Sequence, residues 1–162
     1  MRLDAIGSRP SVAGDRAPQI QVEGLRRFLR VLNKLPKDLQ NETRDASQEI
    51  AGKLVTAATN AAHTPLQQLA AKGLKAKRDR IPVVTVSGTL QGKHHKVRAT
   101  EIFYGAEFGG QQRPTTQQFQ PHLGKRGYFL YPTLRAQGSR YYDMWEDAID
   151  KAFKQWEHRG GE

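Results

Sequence analysis

Trp145, Ala148, Ile149, Ala152, Phe153 and Trp156 form one unbroken apolar stripe at i, i+3, i+4, i+7 spacing, and this constrains the chain more than any other feature of its 162 residues. A stripe of that period reads as an amphipathic helix, whose large side chains must be buried against another layer. Asp147 with Lys151 and Asp150 with Lys154 add charge pairs four residues apart. Ser139 and Asp143 near the start, and His158, Arg159 and Gly160 at the end, suit the helix dipole. The helix begins at either Thr133 or Ser139 in this reading, because an internal Gly138 is tolerated at some cost.

A second, longer helix is the natural partner. Pro36 suits its first turn, and Leu39, Thr43, Ala46, Ile50, Leu54, Ala57 and Ala61 repeat every three or four residues as far as Thr64-Pro65. Ala57, Ala58, Ala61 and Ala62 let another backbone approach closely, either a sheet or a neighbouring subunit. The sheet is the expectation, since a domain must bury its longest helix. A short helix with Leu25, Phe28, Leu29, Leu32 and Leu35 on one face and Arg26, Arg27 and Arg30 on the other is expected before it. The stretch from Leu66 to Leu74 is weakly helical.

Strand signals begin at Ile81. The β-branched run IPVVTV, the Gly-bounded link SGTLQG and the run KVRATEIFY read as a hairpin with a wide loop. Tyr128 to Tyr131, bounded by Gly127 and Pro132, reads as a third strand whose alternation puts two of its side chains on each face. The expected fold class is therefore α+β: a small antiparallel sheet of about three to four strands, packed by the long N-terminal helix and the C-terminal amphipathic helix. Residues 1–19 mix Gly, Ser, Pro and charge without periodicity and read as a flexible arm. Residues 20–162 read as one domain with a long loop at 105–126. The loop carries isolated aromatics at Phe108 and Phe119, which either bind a partner or pin the loop to its own domain.

Several function classes are excluded or left without support. The chain has no cysteine, so disulfide scaffolds, thiolate metal sites and Cys nucleophiles are ruled out. The uncharged stretch from Leu54 to Ala71 holds Thr, Asn, His, Pro and Gln and is no bilayer span, and residues 1–19 lack the apolar core of a secretory signal. None of His63, His94, His95, His122 and His158 falls in a paired helical spacing, and adjacent His94 and His95 point apart on a strand. Neither a nucleophile elbow nor a phosphate loop occurs. Glu101 and Glu107 read as ordinary surface carboxylates. No catalytic residue, cofactor or metal site is expected, and the chain is read as a non-enzyme.

Charge is strongly uneven. The net charge is +10, and from Lys72 to Arg98 eight cations (Lys72, Lys75, Lys77, Arg78, Arg80, Lys93, Lys96 and Arg98) face Asp79 alone, whereas Tyr141 to Glu162 is net acidic. Such a run is a solvated face, or it faces DNA or an acidic partner. No zinc ligands, basic-zipper heptads or aromatic RNA-binding strand accompany it.

The order Tyr104-Gly105-Ala106-Glu107-Phe108-Gly109, then Gln118-Phe119 and His122, then Gly127-Tyr128-Phe129-Leu130-Tyr131-Pro132-Thr133-Leu134-Arg135, and a helix opening at Tyr142, resembles the tail-completion, or head-tail joining, family of long-tailed bacteriophages. The LPKDL start of the long helix fits too, so the likeness covers roughly Ile20 to Trp156. The Gln-rich run over 111–120 and the Lys/Arg segment fall outside the pattern. The resemblance implies a small α+β virion protein without enzymatic activity, made in the host cytoplasm and built into the neck between head connector and tail tube. It also implies a homo-oligomer in a sixfold ring, meeting head connector and tail terminator or tube proteins, with packaged DNA close by and no membrane. Tyr104, Glu107, Phe108, Phe119, Tyr128, Tyr131 and Arg135 are then the candidate assembly interface. The alternative is a basic DNA-binding accessory protein that uses the 72–98 segment.

Overall fold

The structure is a computed structural model that describes residues 30, 32–91, 96–111 and 118–158. The arm over 1–19, Leu25, Phe28 and Leu29 of the first expected helix, and Lys93, His94 and His95 lie outside the described residues.

Helix α1 spans Lys37–Asn60, with Pro36 before it and Asp38 in its first turn. Its buried face is Leu39, Thr43, Ser47, Ile50, Ala51 and Ala58, one residue round from the sequence stripe at Ala46 and Ala57. Helix α2, Pro65–Ala71, follows after a sharp turn. Thr64 Oγ1 accepts from Gln67 N at 3.2 Å while Gln67 Oε1 accepts from Thr64 N at 3.1 Å and His63 N at 3.0 Å, so the free amides of the turn are satisfied reciprocally.

Four short strands come next: β1 Leu74–Lys77, β2 Val83–Val86, β3 Thr89–Gln91 and β4 Lys96–Arg98. They form two antiparallel ribbons, β1 with β2 and β3 with β4, rather than the single sheet of three to four strands expected. Pairing runs Leu74↔Val86 to Lys77↔Val83 in the first ribbon and Thr89↔Arg98 to Gln91↔Lys96 in the second. Ser87 N donates to Gly73 O and Ala99 N to Gly88 O, both at 2.9 Å, and carry the pairing across the corner between ribbons. The basic segment thus contains a strand, β1, and the link SGTLQG contains another, β3.

Two further expectations need correction. Only Lys96–Arg98 of the run KVRATEIFY is extended; Ala99–Phe108 is helix α3, and it consumes the first part of the expected 105–126 loop. Ala99, Ile102, Phe103, Ala106 and Glu107 are its buried face, a helical period that outweighs the β-branched start. Tyr128 to Tyr131 is not a strand: helix α4 runs Leu130–His158, earlier than either start read from the sequence.

Helices α1 and α4 run antiparallel, with Ser47 opposite Trp145 and Lys53 opposite Tyr141. Ile50, Trp145 and Ile149 form one apolar cluster between them. Trp145 Nε1 donates to Ser47 Oγ at 2.9 Å and Ser47 Oγ donates to Arg80 O at 3.1 Å, a buried chain that ties α4, α1 and the β1–β2 connection. The second cluster joins Ala58, Ala62, Ala70, Leu74, Leu90, Ile102, Phe103 and Phe129, with Val84, Val86 and Val97 packed on it. The Ala-rich end of α1 therefore packs within its own chain, against the ribbons, α2 and α3.

Candidate functional site

Glu107, Phe108, Gly127, Tyr128 and Tyr131 meet where α3 ends and α4 begins. Glu107, far from being a surface carboxylate, is fully buried. Its Oε2 accepts from Phe129 N at 3.3 Å and Leu130 N at 3.0 Å, and Oε1 from Tyr131 N at 2.9 Å. Pro132 has no N–H, and the ladder of α4 opens with Thr133 N donating to Phe129 O at 3.3 Å. Each amide of the first turn that lacks a helical partner is thus accounted for by one side chain from another helix. Burial pushes the Glu107 carboxyl above its usual range, opposed by the amides of Tyr131, Leu130, Phe129 and Tyr128.

Gly127 makes this geometry possible. Its φ of 68° and ψ of 169° belong to a region essentially restricted to glycine, and a Cβ there would stand 2.2 Å from Glu107 Oε1 and 2.9 Å from Tyr131 Cβ. The loop between Gly109 and Gly127 is closed at its root: Gly110 N donates to Gln120 O at 2.8 Å, Leu123 N to Phe108 O at 2.9 Å and Gln67 Nε2 to Gln120 Oε1 at 2.9 Å. The Phe119 ring lies over Gly105, where a Cβ would be 2.3 Å from the ring. Of the two readings of Phe119, this contact is the pin to its own domain. Tyr128 OH donates to Pro121 O at 2.6 Å, and the Arg135 guanidinium donates to the carbonyls of Lys125 and Arg126.

What these groups hold up is an aromatic edge. Tyr104 is 67 % exposed and stacks on Phe108, with ring centroids 6.3 Å apart and planes 19° apart. Phe108 meets Tyr131 at 5.0 Å. Burial raises the Tyr131 phenol, with smaller contributions from Glu107 and Tyr104. Of the seven candidate interface residues, Tyr104, Phe108 and Tyr131 form this edge, whereas Glu107, Phe119, Tyr128 and Arg135 build its support. Leu123, 38 % exposed beside Phe108, adds an apolar group that sequence reading did not single out. Its only signal was an apolar residue next to turn-forming glycine.

The eight cations of the basic segment separate in space. Lys75, Lys77, Lys96 and Arg98 are exposed on the strands, with Leu74 and Val97 turned to the core. Arg78 turns back onto α1, where Nε meets Asp45 Oδ1 at 2.5 Å, holding the Asp45 carboxyl below its usual range. Arg80 Nη1 donates to Asn33 Oδ1 at 2.6 Å. Lys72 caps the end of α2, and Lys93 lies outside the described residues.

Among the described residues no group of three or more His, Asp or Glu is placed to hold a metal ion, and no helix is long and apolar enough to cross a membrane. No protein family, curated protein or solved structure matches this chain.

Proposed function

We propose that this chain is a structural virion protein of a tailed phage that acts at the head-tail junction by protein–protein assembly around the tail axis. The observation that supports the reading is convergence: within the likeness, candidate interface residues between Tyr104 and Arg135 meet in one unit that exposes Tyr104 and stacks it on half-buried Phe108, itself against half-buried Tyr131. Rigid aromatic groups bury much area at low entropy cost, which suits them as contact anchors. In this reading copies form a ring, sixfold by the symmetry of the tail, whose contacts are head-to-tail. Neighbours are the head connector and the tail terminator or tube proteins.

The test is made on particles. An antibody against the chain is expected to label the neck of intact virions by electron microscopy, and Tyr104→Ser is expected to leave unjoined heads and tails accumulating. Unlabelled virions, or full joining by the Tyr104→Ser protein, would sink the proposal.

A further inference from the structure

We infer that the outer face of the two β ribbons binds the phosphate backbone of duplex DNA through Lys75, Lys77, Lys96 and Arg98. Register puts Lys75 and Lys77 on the outer side of the first ribbon and Lys96 and Arg98 on the outer side of the second. Leu74↔Val86, Ala76↔Val84 and Leu90↔Val97 are the pairs whose side chains pack inward, so the alternate pairs Lys75↔Thr85, Lys77↔Val83, Thr89↔Arg98 and Gln91↔Lys96 point away from the core. The two ribbons follow each other directly, with only Ser87 and Gly88 between β2 and β3, and both turn their apolar pairs into the same cluster. Lys75 Nζ reaches across the corner to within 3.7 Å of where a Cβ on Gly88 would stand. Cations two apart on a strand are roughly 7 Å apart, so each ribbon carries a spaced pair of positive charges.

Its chemistry favours a polyanion over a protein. Among the described residues Lys75, Lys96 and Arg98 have no carboxylate in ion-pair range, and Lys77 has only the solvent-exposed contact to Asp79 at 3.7 Å. The groups paired across from them are Thr85, Thr89 and Gln91, with Val83 the one apolar side chain, and the Glu101 carboxylate also lies beside Arg98, accepting from its backbone N at 3.3 Å. Protein interfaces are depleted of Lys and centred on aromatic groups, a description that suits the Tyr104 edge and not this face. A two-stranded ribbon also has the width of a DNA major groove. Arg78 and Arg80 are outside the surface, because they are engaged with α1 and with Asn33.

The experiment is fluorescence anisotropy of a labelled duplex, titrated with the full chain from about 50 to about 200 mM salt. Four phosphate contacts contribute about −3.6 to the slope of log affinity against log salt, a roughly 150-fold loss over that range. Lys75→Gln with Lys77→Gln, and separately Lys96→Gln with Arg98→Gln, should each flatten the slope by about 1.8. Arg140→Gln with Lys154→Gln, which removes the same charge from α4, should leave it unchanged. Absence of binding at the lowest salt, or an equal loss in the α4 variant, overturns the inference. So does loss of a labelled poly-glutamate peptide by the ribbon variants while DNA is retained, which would give the face to an acidic protein. The inference does not rest on the neck reading, and failure here leaves the outcome of particle labelling untouched.

Discussion

Replacing Gly127 by alanine isolates the junction that organises the molecule. Two penalties arise. The backbone at φ 68°, ψ 169° costs a residue with a Cβ about 2 kcal/mol. The new Cβ, 2.2 Å from Glu107 Oε1, must also displace the carboxylate and break its bond to Tyr131 N, leaving a buried amide without a partner for about 2 kcal/mol more. The sum, about 4 kcal/mol, is a large share of the ~5–15 kcal/mol that holds a domain of this size. Gly124→Ala is the control: φ is also positive, at 60°, but nothing lies within 4 Å of its Cβ, so about 1 kcal/mol is expected. Urea denaturation followed by far-UV circular dichroism measures both. In a Glu107→Ala background Gly127→Ala keeps its backbone cost and the 2.9 Å approach to Tyr131 Cβ but loses the clash with the carboxylate, so a coupling of about 2 kcal/mol is expected. Additivity within about 0.5 kcal/mol would refute the role of Glu107 as the clamp.

Ser47→Ala removes the acceptor of Trp145 Nε1 and the donor to Arg80 O, and should cost about 2 kcal/mol in urea with a change in tryptophan emission; an unchanged midpoint would show that the chain of bonds is dispensable. Because burial holds the Glu107 carboxyl above its ordinary 4.5, its share of stability is full below that value and is lost as pH rises through the higher folded one. The stability gap between wild type and Glu107→Gln should therefore narrow as pH rises above 4.5, and a widening gap would contradict the assignment. Tyr104→Ser should leave the unfolding free energy in urea within about 0.5 kcal/mol, since the ring is largely exposed, whereas Phe103→Ala on the buried side of the same helix should cost about 3–5 kcal/mol.

Several elements were legible in the sequence alone. The long helices α1 and α4 and the strand at Val83–Val86 each carry their signal in residues a few positions apart and are found as elements, though the buried face of α1 lies one residue round from its stripe and α4 begins earlier than its pattern showed. The α+β class and the flanking long helices follow from those local periods. Four things were decided only in three dimensions. The run from Lys96 to Tyr104 is strand for three residues and helix thereafter, because Ile102, Phe103 and Ala106 reach the shared core only on a helical face. Tyr128 to Tyr131 has strand-like composition, yet its backbone amides turn into a helix because a carboxylate more than twenty residues earlier accepts them. Glu107 itself looks like any charged residue until its partners are known. The basic segment reads as one block of eight, but pairing register sends Lys75, Lys77, Lys96 and Arg98 outward while Arg78 folds back onto Asp45. Periodicity records which residues share a face, whereas the partner of a buried charge, or the side of a ribbon that meets solvent, is settled by segments that only folding brings together.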